Sequence, residues 1–101
     1  MHLVQLLLPL YDNAGAPQPR AHFAAVRQEL VNRFGGLTEY TRAPAKGEWA
    51  GPGAVEHDDI VVYEVMVEGL DRAWWSTYRA SLEQRFGQDE IAVRALAAEK
   101  L

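Results

Sequence analysis

Residues Glu56, His57, Asp58 and Asp59 set one imidazole among three carboxylates. On a strand His57 and Asp59 share a side, and imidazole with carboxylate suits zinc or manganese. No second histidine stands at ligand spacing from His57, so the expectation is no metal and no cofactor, with the cluster capping a strand. Glu64 and Arg94 are different, because each interrupts an apolar run, "IVVYEVMVE" and "EIAVRAL", as Gln5 interrupts "HLVQLLL". Arg94 could hold an anionic or carbonyl group, and Glu64 could serve as an acid or base with a raised pKa. His57 completes the candidate catalytic set. The competing reading of Gln5, Glu64 and Arg94 is a charge pair bridged by glutamine and satisfied across a subunit interface, since buried charges need partners. Tyr11, Arg42, Lys46 and Trp49 join Gln5 as candidates for holding a small molecule. Trp49, set among Gly and Pro, reads better as a residue pinning its segment to the body or to a partner than as one stacking on a substrate.

The inventory excludes several chemistries. There is no cysteine, which removes disulfides, thiolate zinc and cysteine nucleophiles. There is no Ser-His-Asp ordering, no GxGxxG and no GxxxxGK[ST]. Ten basic and fourteen acidic residues give a net charge of −4, interspersed along the chain. That balance argues against a nucleic-acid backbone or an anionic membrane as partner. The longest apolar run, residues 6–10, is far too short to span a bilayer and carries no signal-peptide pattern, so a cytoplasmic protein is expected. At 101 residues the chain fits one domain, 1–101, small enough to gain from a partner.

The elements that must position these residues follow from periodicity. "HLVQLLL" reads as a strand ended by Pro9 and a loop rich in Gly, Pro and Asn. A helix is expected from about Arg20 to Phe34, with Phe23, Val26, Leu30 and Phe34 on one arc and Gly35 as its left-handed cap. "LTEYTR" reads as a short strand followed by a long loop over residues 43–58. "IVVYEVMVE" is the strongest strand, β-branched and almost continuously apolar. Asp71 is a plausible N-cap for a second helix ending at Phe86, capped by Gly87, before a last strand over residues 90–96.

A hidden repeat supports the β-α-β-β-α-β order. Adding 52 to Phe23, Val26, Leu30 and Phe34 gives Trp75, Tyr78, Leu82 and Phe86, and both helices end in Arg-Phe-Gly. Two such units make the split-βαβ, ferredoxin-like α+β fold, with a four-stranded antiparallel sheet in the order 4-1-3-2 and two helices on one face. The repeat assigns Trp75 to the core. Trp74 lies about 100° round the helix and needs cover from the C-terminal tail, a strand edge or a partner subunit.

Strand alternation directs Val4, Leu6, Leu8, Val61, Tyr63, Val65, Val67, Ile91, Val93 and Ala95 toward the helices. Leu3, Gln5, Leu7, Ile60, Val62, Glu64, Met66, Ala92, Arg94 and Leu96 then form an opposite face that nothing in the chain covers. A bare apolar face of that size marks a partner or a ligand. In this strand order Arg94, Gln5 and Glu64 fall on adjacent strands and form a polar row if their registers coincide.

Almost the full length resembles the dimeric α/β-barrel superfamily, with "FGGLTEYTRAPAKGEW" and "WWSTYRASLEQRFGQ" reading like the body of a small uncharacterised bacterial member. The resemblance implies two ferredoxin-like subunits packed sheet to sheet, in a group that includes cofactor-independent monooxygenases, isomerases and proteins without known activity. No subfamily's catalytic motif matches here. RNA-binding versions of the fold need aromatics on the open face, where this chain has Leu3, Gln5, Leu7, Val62 and Glu64. Two expectations result: a homodimer through the open face with a small-molecule ligand, or a cofactor-independent enzyme on a small polar-aromatic metabolite.

Overall fold

The chain runs through β1 (His2–Pro9), α1 (Arg20–Phe34), β2 (Thr38–Gly51), β3 (Ala54–Val67), α2 (Arg72–Phe86) and β4 (Val93–Ala97). The computed structural model describes the backbone of residues 1–51 and 54–101, and the side chains of residues 1–41 and 59–101. All neighbouring strands are antiparallel, in the order β2-β3-β1-β4. Read from the other edge this is 4-1-3-2, the ferredoxin-like α+β fold.

Local chemistry sets the helix ends. The Asp71 carboxylate accepts the Trp74 amide at 3.0 Å, satisfying one of the free N–H groups that open α2. α1 starts after Pro19 without a side-chain cap. Gly35 (φ 80°) and Gly87 (φ 64°) close the helices in the left-handed region, where a side chain would be strained.

The helices cover one sheet face. Val4, Leu6, Leu8, Val61, Tyr63, Val65 and Val67 are buried with Val26, Leu30, Trp75, Tyr78, Leu82 and Phe86, in the alternation expected from the sequence. Ile91 is buried too and Val93 is half-buried, but Ala95 is exposed although it lies on the helix side. A cleft at that edge, between α2 and β4, accounts for its exposure.

Two boundaries differ from the sequence expectation. β2 does not end near Arg42: it and β3 pair onward from Ala45↔Ile60 to Gly51↔Ala54, so most of the expected loop is ladder. The composition is poor in strand formers, but β2 is an edge strand, and the register shift between Tyr40 and Ala45 takes in Pro44, which cannot donate to a ladder. β4 begins at Val93 rather than Glu90. The Ile91 amide, which faces away from β1, donates to the Glu83 carboxylate at 2.9 Å and holds residue 91 against α2.

Candidate functional site

The open face carries a continuous polar row. Gln5 stands opposite Glu64 on β3 and opposite Arg94 on β4, so the three registers coincide. The Gln5 Nε2 donates to Glu64 Oε1 at 2.9 Å, and Arg94 Nε donates to Gln5 Oε1 at 2.8 Å. Tyr40 on β2 extends the row, its hydroxyl donating to Glu64 Oε2 at 3.3 Å. Four side chains therefore span all four strands, with negative charge over β3 and positive charge over β4. The Glu64 charge, then partial burial, then the hydrogen bond raise the Tyr40 phenol pKa above its ordinary value.

Around the row the surface is aliphatic. Leu3, Leu7, Ile60 and Val62 are half-buried, while Met66 and Leu96 are 51% and 46% exposed. Large apolar side chains left that open are unusual on an uncovered sheet. Chemically, the row has both ends of the glutamine amide and both carboxylate oxygens already occupied. The guanidinium retains its terminal nitrogens for a further acceptor.

Sequence-derived candidates separate into three groups. Gln5, Glu64 and Arg94 come together. Tyr11 does not: it sits beyond the end of β1, bridged to Pro17 and 46% exposed. It lies past the strand end and the bend at Leu10, away from the polar row. The side chains of Arg42, Lys46, Trp49 and His57 lie outside the described residues. Tyr40 was missed by sequence reasoning. The signal was alternation in "LTEYTR", which becomes informative only once Thr38↔Glu64 and Tyr40↔Val62 fix the register.

Trp74 is half-buried, and its cover within the chain comes from the helices. The C-terminal end of α1 supplies it: Phe34 meets the indole edge-on at 5.4 Å, and the Arg33 guanidinium lies 4.2 Å from its ring. Tyr78, one turn on, stacks on its other side at 4.8 Å. Cation–π and aromatic contacts of this kind make Trp74 a helix-docking residue.

No protein-family model matches the sequence, and no curated protein matches it significantly. Among solved structures the chain is similar to a point variant of CutA1 from Pyrococcus horikoshii OT3. The TM-score is 0.60 at 13% identity, over 100% of this chain and 86% of that one. At that identity the likeness is one of fold. Among the described residues, no helix is long and apolar enough to cross a membrane.

Proposed function

We propose that this protein works as a homodimer joined through the open sheet face, in the manner of the dimeric α/β-barrel superfamily. The observation that carries the reading is the polar row, whose charges are complementary to a second copy of itself. A twofold axis parallel to the strands and passing over Gln5 exchanges the positions of β3 and β4. Each Glu64 then faces an Arg94 of the other copy, while Leu3, Leu7, Met66 and Leu96 meet aliphatic surface. Isologous interfaces require this self-complementarity. The row's saturation within one chain supports an interface role over general acid–base catalysis, since the charges enter the contact already hydrogen-bonded.

Four strands about 4.8 Å apart and about seven residues long give a face that buries on the order of 1,000 Å² across two copies. That is the low end of specific interfaces, so the dimer should be concentration-dependent. Light scattering over a dilution series should give twice the chain mass at high concentration, falling toward one on dilution. Met66→Lys and Leu96→Glu replace exposed side chains and should each shift the protein to monomer without lowering its secondary structure. A wild-type monomer at all concentrations would refute the proposal.

A further inference from the structure

We propose that the cleft between α2 and the free edge of β4 binds a small organic anion with an apolar body, of the carboxylate or phosphate-monoester class. The cleft holds about 210 Å³ and lies on the helix side of the sheet, opposite the face assigned to the dimer. Arg72, Ser76 and Arg79 line it at i, i+4 and i+7, which sets them on one stripe of α2. Its floor is Trp75 and Val93. Arg94 also lines it, but that guanidinium is bonded to Gln5 across the sheet.

The β4 edge adds donors. The Leu7 amide donates to the Ala92 carbonyl at 3.0 Å, and the Ala98 amide to the Met1 carbonyl at 3.0 Å. In antiparallel pairing the bonded pairs alternate, so Gln5–Arg94 and Leu3–Leu96 are bonded as well. The N–H and C=O groups of Val93 and Ala95, between them, point away from β1 at the free edge of the sheet, beside the cleft that both residues line. Two guanidiniums, a hydroxyl and two strand amides thus surround an apolar floor.

The neighbouring acids take their closest bonds elsewhere. Asp71 is committed to the Trp74 amide, and Glu83 to the Ile91 amide. Glu83 also stands 4.0 Å from Arg79 Nε, a long contact, and Arg72 has no acidic partner among the described residues. On a chain of net charge −4, two arginines lining one apolar cleft favour an anion. The volume, below that of drug-sized sites, limits it to a small molecule, and the indole floor favours a flat body.

Amide chemical shifts of the 15N-labelled protein test this, with phenyl phosphate and benzoate as probes. Saturable shifts at Ser76, Val93 and Ala95 are expected with both. Arg72→Gln and Arg79→Gln, both exposed positions, should each raise the dissociation constant about tenfold or more while the dispersed spectrum is retained. Benzylammonium and inorganic phosphate separate the two requirements, charge and apolar body, and neither should saturate those amides. Lack of saturable binding by either aromatic anion would overturn the proposal. So would equal affinity in both arginine variants, or equal binding of benzylammonium or inorganic phosphate. Met66→Lys acts on the opposite face and should leave the shifts unchanged, so this result and the dimer stand or fall separately.

Discussion

Glu29 gathers three hydrogen bonds: two from Arg85 at 2.7 and 2.8 Å and one from the Tyr78 hydroxyl at 2.9 Å. The Arg85 bonds hold its carboxyl below the ordinary range, against burial, with Tyr78 and the Arg85 charge assisting. A depressed folded-state pKa contributes stability above the unfolded value, about 4.3, and loses it as pH falls through the folded value. Glu29→Gln should therefore cost about 1 kcal/mol at pH 7, the pair being bidentate but partly exposed. The cost should shrink as pH is lowered from 7 into the acid range, read by urea unfolding over a pH series. Tyrosines act in the opposite direction. Burial, more than any other cause, pushes Tyr63 up to about 12 and also raises Tyr78. Their stabilising contribution is complete below pH 10 and is lost as pH rises toward those values, so stability should decline above about pH 10. Tyr78→Phe should weaken this alkaline decline. The Glu29 cluster was not legible in the sequence, because nothing local tells which surface glutamate of α1 meets Arg85 of α2.

The helices were legible nearly to the residue. α1 and α2 are each 15 residues long, and both ends differ by the 52-residue offset of the repeat. The repeat is a pseudo-twofold in space: His22 at the start of α1 packs on Phe86 at 5.4 Å, as Trp74 at the start of α2 packs on Phe34. It breaks where residue types differ. The offset carries Glu29 onto Ser81, so Arg85 has a carboxylate while Arg33 lies over Trp74 instead. The caps differ as well, which gives a test. Asp71→Ala should cost about 1 kcal/mol in thermal or urea unfolding. Pro19→Ala removes no side-chain cap and should cost less. The strand ends were harder to read. β2 and β3 continue through Gly- and Pro-containing sequence because an edge hairpin is held by its backbone ladder, which propensity does not report. β4 is shorter than its apolar run because Ile91 is tied to α2 through Glu83, on the side of the chain away from β1.

On the scale of the molecule, the open face followed from counting: two helices cover one side of a four-stranded sheet and leave the other bare. Register was the missing quantity, and it decided whether Gln5, Glu64 and Arg94 were three isolated polar residues or one row. Because the row joins them, the proposed dimer makes a prediction that mere apolar contact does not. Sheets packed about 10 Å apart leave Glu64 within reach of a facing arginine. Reversing one charge, by Glu64→Arg or Arg94→Glu, sets like charges against each other at two symmetry-related places. Each single reversal should raise the dimer dissociation constant about tenfold or more. The double variant restores opposite charges across the interface. It also keeps the row within each chain, since the Gln5 amide can rotate to donate toward residue 94 and accept from residue 64. Sedimentation should therefore find the double variant dimerising more tightly than either single one. Additive losses would mean that the two charges do not face each other, and the strand-parallel twofold would have to be given up.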